Sequence, residues 1–291
     1  YGGDMPVEES GNVLVLTAAV AAVEGNADYA QKHWDVLTTW TDYLAEYGLD
    51  PDTQLCTDDF AGHFAHNANL SIKAILGVAS YGYLADKLGK KEVAEKYTQK
   101  AKEMAAEAQS RGLHFVDAPV SGGQDGAVSG SLTVMCGGDA EIIERVKPIA
   151  DAFACSIRRI GPVGSGQLAK MCNQICIAGV VQGLAEAIAF GQTAGIDMHS
   201  VLDVIGKGAA SSWQMQRRGD TMIEGKFDFG FAVDWMRKDL GICLEQARKT
   251  GADLPMTALV DQFYAEVQNM GRGRFDTSSL ILRLNREPKK S

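Results

Sequence analysis

The sequence predicts a mainly α-helical protein with one small α/β segment near its middle. Apolar residues recur at helical spacing through residues 12–23, 28–47, 70–88 and 91–105. Short β-favouring runs, bounded by glycine or proline, follow at 113–120, 131–138 and 156–160. A helix is predicted between the last two runs, over 139–154, and the helical pattern resumes at residue 167 and continues to the C-terminal region.

The four N-terminal helices are predicted to form a run of helical hairpins. Gly25, Gly48 and Gly89 lie where C-terminal helix caps belong. The fourth helix consists of strong helix formers and continues without interruption to residue 111, where Gly112 ends it. From residue 113 the apolar period changes.

The charge of the chain is uneven and argues against two classes of partner. The 291 residues carry a net charge of −9, of which residues 1–105 account for −8. Neither part has a basic stripe, so we expect no nucleic-acid partner and no binding to anionic membranes. The longest uninterrupted apolar run, residues 175–181, is too short to span a membrane. A composition of 46% hydrophobic and 22% charged residues is typical of a globular protein.

The six cysteines show neither CxxC spacing nor the density of a disulfide scaffold. We therefore expect reduced, buried thiols and no metal site. Cys172 and Cys176 share a helix face, but two thiols without further ligands are more often packing residues. We expect a cytoplasmic location, although the chain starts at Tyr1 and shows no targeting pattern from which a compartment could be derived.

A polar cluster precedes the third predicted helix. It contains two carboxylates, two histidines and two asparagines: Asp58, Asp59, His63, His66, Asn67 and Asn69. Such groups could perform acid–base chemistry or hold a metal ion. The alternative is an Asx-rich loop that caps the helix, and spacing alone favours this alternative.

Three stretches carry a resemblance for the N-terminal part: ESGN at 9–12, HWDVLTTWTDYL at 33–44 and TDDFAGHFAHNANLSIKAI at 57–75. Residues 1–104 resemble the C-terminal helical region of the glutaminase A family. The resemblance implies part of an α/α toroid of paired helices, with only some of the helices that such a ring needs. We therefore transfer no catalytic residue from that family, although Asp58 and Asp59 would be the first candidates. A glutaminase-type amidohydrolase fragment is therefore an alternative function.

A glycine-rich turn follows the first predicted strand. Ser121, Gly122 and Gly123 can expose backbone amides that hold a carboxylate with little steric hindrance. An ordinary surface turn is the alternative, and SGG alone is a weak signal.

A second glycine-rich motif, GPVGSG at 161–166, opens a helix over 167–193 that is apolar on nearly every side. Such a helix is expected to be buried. Lys170 and Asn173 lie on one face of its first turns, so both can point at one cleft. A lysine with a pKa lowered by desolvation can act as a general acid or base, whereas a lysine that snorkels to solvent at a helix end is the alternative.

These motifs carry a second resemblance. DAPVSGG at 117–123, GxGxxxKxxNQ at 164–174 and RKDL at 237–240 occur in order. Residues 107–286 resemble the β-hydroxyacid dehydrogenase family, which includes 3-hydroxyisobutyrate dehydrogenase and tartronate semialdehyde reductase. The resemblance implies an NAD(P)-dependent oxidoreductase for small β-hydroxyacids or semialdehydes, with an all-helical C-terminal domain that forms a homodimer.

The same resemblance implies a role for individual residues. Lys170 would be the catalytic acid–base. A small carboxylate substrate would be anchored by Ser121, Gly122, Gly123 and Asn173. Phe231 and Lys238 would lie at the NAD or NADP cofactor; from the sequence pattern alone, Lys238 is only an exposed helical lysine beside Asp239.

One departure from the family is that no strand–GxGxxG–helix unit occurs in these residues. The segment most similar to GxGxxG is GPVGSG, but it is not followed, about 20 positions later, by the acidic residue that binds a ribose. We therefore expect weak or absent independent cofactor binding, and the residues that would select NAD or NADP are not found.

The predicted organisation is a chimera of three parts: a glutaminase A-like helical segment (1–105), a truncated Rossmann-type α/β remnant (106–162) and an all-helical dehydrogenase C-terminal domain (163–291). The predicted function is that of an impaired oxidoreductase. Besides the amidohydrolase fragment, a non-catalytic helical fusion or dimerisation scaffold is a further alternative.

Overall fold

The computed structural model describes residues 4–57 and 63–284. The chain divides into two compact units, Tyr1–Phe115 and Val116–Ser291. The expectation of a mainly helical protein with a small sheet is confirmed. The three-part division with boundaries after residues 105 and 162 stays a prediction.

The described part of the first unit is helical. Its helices are α1 (Pro6–Glu24), α2 (Asp28–Lys32), α3 (Trp34–Tyr47), α4 (Ala68–Lys87) and α5 (Lys91–Ser110). Helix α4 packs against α1, α3 and α5. Their facing apolar residues form one core that includes Leu14, Leu44, Leu70 and Tyr81, all fully buried.

One detail of the N-terminal prediction is wrong. The single helix expected over 28–47 breaks at His33, whose φ of −111° and ψ of 19° lie outside the helical region. The apolar spacing continues across this break, so periodicity does not reveal it. Gly48 is the C-cap of α3, as predicted, and has a right-handed φ of −80°. Glycine is required there for space, because a Cβ atom would overlap that of Ala74.

The polar cluster before α4 behaves as a helix cap at its described residues. The Asn67 side chain accepts a hydrogen bond from the Asn69 backbone amide at 2.9 Å. His66 adopts a φ of +60° and its Nδ1 lies 2.6 Å from Asp50 Oδ1. The capping alternative is therefore confirmed for Asn67, whereas Asp58 and Asp59 lie outside the described residues.

A buried carboxylate joins three segments of the first unit. Glu8 is 2% exposed and forms an ion pair with Lys73 of α4. Its Oε1 accepts a hydrogen bond from Thr57 Oγ1, and its Oε2 accepts one from the Thr57 backbone amide, both at 2.9 Å. Burial alone would raise the pKa of Glu8, but the contacts with Lys73 and Thr57 outweigh burial and lower the pKa below that of an ordinary glutamate.

This network predicts an acid-sensitive first unit. Replacing Glu8 by glutamine should destabilise it by about 2 kcal/mol at neutral pH, because a charged acceptor of several hydrogen bonds is lost and Lys73 keeps its charge. Since the folded-state pKa is lowered, the stabilisation is present above the unfolded-state pKa and lost as pH falls through the folded-state value.

Denaturant unfolding between neutral and acidic pH measures this effect. The wild type should lose more stability on acidification than Glu8→Gln. Asp86→Asn, which removes an exposed ion pair with Lys91, is the control and should change little. Parallel pH profiles for the wild type and Glu8→Gln would contradict the assignment.

The second unit contains a three-stranded sheet and seven helices among its described residues. The strands are β1 (Val120–Ser121), β2 (Leu132–Gly137) and β3 (Ala154–Gly161). The helices are α6 (Gly123–Val128), α7 (Ala140–Ala150), α8 (Ser165–Thr193), α9 (Met198–Ile205), α10 (Trp213–Ile223), α11 (Val233–Thr250) and α12 (Pro255–Asn269), followed by a 3₁₀ helix, Thr277–Arg283.

The sheet has the order β1-β2-β3, with β1 antiparallel and β3 parallel to β2. The strand predicted over 113–120 is wrong for most of its length, since β1 covers only Val120 and Ser121. Upstream, an isolated bridge pairs Asp117 with Gly137. Asp117 and Val120 keep one register against β2, but Pro119 between them has no amide hydrogen with which to continue the ladder.

Helix α8 is the central helix of the second unit, but the expectation that it is buried on every side is wrong. Ala178, Val181, Ala185 and Ile188 lie in the core with residues of α11, α12 and the 3₁₀ helix. The opposite face remains exposed, including 74% of Phe190. The core therefore covers only one face of an otherwise apolar helix.

Helices α1 and α8 are long and apolar enough to cross a membrane by length and composition alone. The core helices of water-soluble proteins meet the same criterion, and each of these two helices contributes a buried face to its unit. The length of the 175–181 run therefore understated the apolar character of α8. The expectation of no membrane partner stays a prediction.

Several helix ends in the second unit carry residues that favour those positions. Asp197 and Asp276 accept hydrogen bonds from amides of the turns they begin. Pro255 opens α12, where its missing amide hydrogen costs no helical bond. Gly195, Gly251 and Gly271 have positive φ angles of 72° to 77° at helix ends.

Candidate functional site

The second unit contains a cleft of about 610 Å³ between α8 and α11. It is lined by Gln167, Lys170, Met171 and Gln174 of α8, Phe231 of the preceding loop, and Trp235, Lys238, Asp239 and Ile242 of α11. Three residues predicted from the sequence, Lys170, Phe231 and Lys238, therefore lie around one cleft. Phe231 and Trp235 form an aromatic side next to these charged groups.

Lys170 has an environment suited to proton transfer. Its side chain is partly buried, and this burial lowers the pKa below that of an ordinary lysine. Asp239 acts in the opposite direction, while the positive charge of Lys238 lowers the pKa further. A lysine with a lowered pKa exchanges a proton at neutral pH more readily than a solvated one.

Asp239 and Gln174 form a network beside Lys170. Gln174 Nε2 donates to Asp239 Oδ2 at 2.6 Å, and Lys238 Nζ lies 2.7 Å from Asp239 Oδ1. Asn173 Nδ2 donates to Gln174 Oε1 at 2.8 Å. Sequence reasoning named Asp239 only as a neighbour of Lys238 and gave Gln174 no role, although both belong to the RKDL and GxGxxxKxxNQ motifs.

The residues expected to anchor a carboxylate also meet. Ser121 Oγ donates to Asn173 Oδ1 at 3.3 Å, which joins the glycine-rich turn to α8. Gly122 has a φ of +128° and Gly123 a φ of +60°, conformations that favour glycine. Asn173 thus connects the Ser121 turn to Gln174 in the cleft.

The glycine-rich turn before α8 is already occupied by a side chain of the chain itself. Asp117 Oδ1 accepts a hydrogen bond from the Gly164 amide at 2.6 Å, and Oδ2 accepts one from the Gln167 amide at 2.9 Å. A helix N-terminus of this kind can bind a phosphate. Because the Asp117 carboxylate fills the position, GPVGSG cannot receive the pyrophosphate of a dinucleotide.

The described residues fit one end of a dinucleotide cofactor. Phe231 and Trp235 provide aromatic faces for a nicotinamide ring, and Lys238 provides a positive charge beside them. The turn that most resembles a pyrophosphate site does not fit a phosphate.

No group of three or more histidine, cysteine or acidic side chains could hold a metal ion in the described part of the chain. All six cysteines are free. The expectation of buried thiols holds for Cys56, Cys136 and Cys243 and is wrong for Cys155, Cys172 and Cys176, which are exposed. Cys172 and Cys176 lie on the face of α8 that the core leaves uncovered.

Three known families match successive parts of the chain. Residues 2–119 match the Glutaminase A six helical-hairpin domain. Residues 92–161 match the NAD binding domain of 6-phosphogluconate dehydrogenase, and residues 164–284 match the NAD-binding domain of NADP-dependent 3-hydroxyisobutyrate dehydrogenase. The first two matches overlap over residues 92–119, which include most of α5.

Individual relatives agree with the C-terminal matches. An uncharacterized oxidoreductase of Shewanella frigidimarina is 58% identical over 64% of this chain and 64% of its own. The 2-hydroxy-3-oxopropionate reductase of Escherichia coli is 35% identical over 62% of each chain. The chain spans less than two thirds of the length of these curated relatives.

A solved structure supports the same relationship. The 3-hydroxyisobutyrate dehydrogenase of Mycobacterium tuberculosis, solved with L-serine, superposes with a TM-score of 0.56 and 32% identity. The match covers 65% of this chain and 67% of that protein. The chain therefore belongs to the 3-hydroxyisobutyrate dehydrogenase family through its C-terminal unit and carries a Glutaminase A six helical-hairpin segment before it.

Proposed function

We propose that the second unit carries the substrate and proton-transfer half of an NAD(P)-dependent oxidoreductase for small β-hydroxyacids or their semialdehydes. The observation that carries this proposal is the partly buried Lys170 in a cleft with Asp239, Lys238 and Phe231. The names of the relatives, a hydroxyoxopropionate reductase and a hydroxyisobutyrate dehydrogenase, support the same substrate class.

In the proposed reaction, Lys170 donates a proton to the aldehyde oxygen during reduction and removes it from the hydroxyl group in reverse. The bound cofactor would supply or accept the hydride. Ser121, Asn173 and the amides of Gly122 and Gly123 hold the substrate carboxylate. Asp239 orients Gln174 and Lys238 by direct contacts, so that the polar side of the cleft keeps its arrangement around Lys170.

We further propose that this chain alone binds NAD or NADP weakly and is therefore an impaired enzyme. The sequence contains no strand–GxGxxG–helix unit, and Asp117 fills the turn that most resembles one. A dinucleotide gains much of its affinity from pyrophosphate contacts at a helix N-terminus. A chimeric origin of the two units agrees with their separate family matches.

Titration of the purified chain with NADPH and with NADH, followed by nicotinamide fluorescence, tests this proposal. We expect no saturation below about 1 mM nucleotide, since the proposed site binds only the nicotinamide end of the nucleotide. Lys238→Ala should abolish any residual signal. Lys249→Ala, an exposed lysine on the same helix, is the matched control and should leave the signal unchanged. Saturable micromolar binding would contradict the proposed impairment.

The catalytic part of the proposal is tested at high NADPH concentration with a small semialdehyde acid. Lys170→Ala should lower the residual reduction rate by a factor of about 100 or more, the usual contribution of a positioned acid–base group. If no NADPH-dependent reduction occurs, or if the rate is unchanged by Lys170→Ala, the proposed role of Lys170 is wrong.

We also propose that the C-terminal unit forms a homodimer. The exposed apolar side chains along α8, among them Leu168, Val180 and Phe190, support this proposal because soluble proteins rarely leave such a face uncovered. The six free thiols agree with a reducing, cytoplasmic location. No contact among the described residues favours the glutaminase-type amidohydrolase.

A further inference from the structure

Asp117 is a buried carboxylate that the sequence motifs left without a role. It is 6% exposed and lies four residues before Ser121. Its two oxygens accept hydrogen bonds from the amides of Gly164 and Gln167 at the start of α8. The residue before α8, Gly164, has no side chain with which to cap the helix. Asp117 therefore supplies the cap from a distant segment, and its charge lies at the positive end of the helix.

The surrounding backbone is shaped to fit this carboxylate. A Cβ atom on Gly137 would overlap Asp117 Oδ1, and one on Gly166 would lie 2.7 Å from Asp117 Oδ2. The backbone of Asp117 is itself held by reciprocal hydrogen bonds with Gly137, at 3.0 and 2.8 Å. Strand β2 thus fixes Asp117, and Asp117 fixes the first turn of α8.

A second connection closes a ring of contacts. From Asp117 the chain runs to Ser121, whose hydroxyl bonds to Asn173 of α8. Helix α8 then leads back from Asn173 through Lys170 to Gln167, which bonds to Asp117. Two of the residues expected to hold the substrate carboxylate, Ser121 and Asn173, and the lysine expected to transfer the proton all lie on this ring.

We propose that Asp117 is a positioning residue of the substrate site: its carboxylate fixes the Ser121 turn and the first turns of α8 relative to one another, and so keeps Lys170 in its partly buried position. This inference rests on the proposed function of Lys170. Asp117 acts through the helix and touches neither Lys170 nor the cleft.

The physical consequence is a change in the hydration of Lys170. Lys170 lies one turn after Gln167, so fraying of the helix start would admit water to its side chain. The charged groups that face Lys170, Asp239 and Lys238, both belong to α11 and would stay in place. Only the contribution of burial would change, and the pKa of Lys170 would rise toward that of an ordinary lysine.

The test compares the wild type with Asp117→Asn, which keeps the volume of the side chain. Two quantities are measured: hydrogen exchange of the amides of residues 164–170, and the pKa of each lysine by trace acetic anhydride labelling at several pH values, read by peptide mass spectrometry. Asp139→Asn is the matched control, because Asp139 caps α7 in the same unit through the Glu141 amide.

In Asp117→Asn we expect exchange at Gln167 to rise by a factor on the order of ten and the pKa of Lys170 to rise. Asp139→Asn should leave Lys170 unchanged and should alter exchange at Glu141 little, because both capping hydrogen bonds go to one Asp139 oxygen, which asparagine keeps. A folded Asp117→Asn protein in which Lys170 titrates as in the wild type would overturn the proposal and reduce Asp117 to a helix cap.

A second variant covers the case in which Asp117→Asn does not fold. Gln167→Pro removes the amide hydrogen that Asp117 binds, and since Gln167 lies in the first turn of α8, this amide makes no hydrogen bond within the helix. The pKa of Lys170 should again rise, and an unchanged value would overturn the proposal.

Neither hydrogen exchange nor lysine labelling requires nucleotide or turnover. The proposed oxidoreductase function and the proposed role of Asp117 can therefore be contradicted independently. Absence of reductase activity would contradict the proposed function alone, whereas the titration of Lys170 decides the role of Asp117.

Discussion

Gly166→Ala is expected to destabilise the second unit by about 3 kcal/mol or more, because the added methyl group meets atoms that cannot move independently. It would overlap the carbonyl oxygen of Met135 and lie 2.7 Å from Asp117 Oδ2 and 2.9 Å from the Asp117 carbonyl oxygen. Two of these three atoms belong to the backbone of the sheet segment. Relief would require α8 to separate from β2, which would also break the Asp117 hydrogen bonds.

Gly183→Ala is the control for this prediction. Gly183 lies in the same helix, is exposed, and a Cβ atom there would meet nothing within 4 Å. Alanine should stabilise α8 by up to about 1 kcal/mol, since it loses less backbone entropy than glycine in a helix. Denaturant unfolding followed by far-ultraviolet circular dichroism measures both variants. Equal effects of the same sign would show that the close approach at Gly166 is not tight in solution.

Asp276→Ala is expected to have a comparable effect. Asp276 is 1% exposed, and its Oδ1 accepts hydrogen bonds from the amide and hydroxyl groups of Ser278 at 3.0 and 2.6 Å. Oδ1 also lies 3.3 Å from Arg218 Nε, and Oδ2 accepts a hydrogen bond from the Phe231 amide at 2.9 Å. Alanine would leave the partly buried guanidinium of Arg218, 13% exposed, without this counter-ion, and we expect a cost of about 3 kcal/mol.

The same substitution should loosen the loop that carries Phe231, because its amide loses its partner. Thermal unfolding measures the loss of stability, and hydrogen exchange of the Phe231 amide measures the loosening. Asp203→Asn is the matched control: it breaks an exposed ion pair with Lys207 in the same unit and should change neither quantity appreciably. A protein with wild-type stability and a protected Phe231 amide would contradict this account of Asp276.

Local patterns predicted most helices and their ends. The helices at 70–88 and 91–111 occur at Ala68–Lys87 and Lys91–Ser110, since apolar spacing and a terminal glycine are properties of one short segment. The strand at 113–120 was predicted from its β-favouring residues, yet only Val120 joins β1. A strand also depends on regular pairing: the Asp117 backbone pairs with Gly137 of β2, but Pro119 has no amide hydrogen with which to extend that pairing to Val120.

In the candidate site, too, local patterns predicted some features and failed for those that depend on distant residues. Motif order placed Lys170, Asn173 and Ser121 in one functional group, and the structure brings Ser121 to Asn173 and Lys170 to Lys238 and Phe231. The expectation that α8 is buried on every side is wrong because hydropathy describes only the composition of a helix face. Whether that face is buried depends on which other elements pack against it.

The sequence by itself determined the helical character of the chain, its two family resemblances and the identity of the proposed acid–base residue. These properties depend on neighbouring residues, whose spacing along the chain is also their spacing in a helix. Only the tertiary structure decided the roles of Asp117, Gln174, Asp239 and Asp276. Each of these side chains bonds to a group 45 to 65 positions away, and such pairs are set by the packing of whole elements, which no local pattern records.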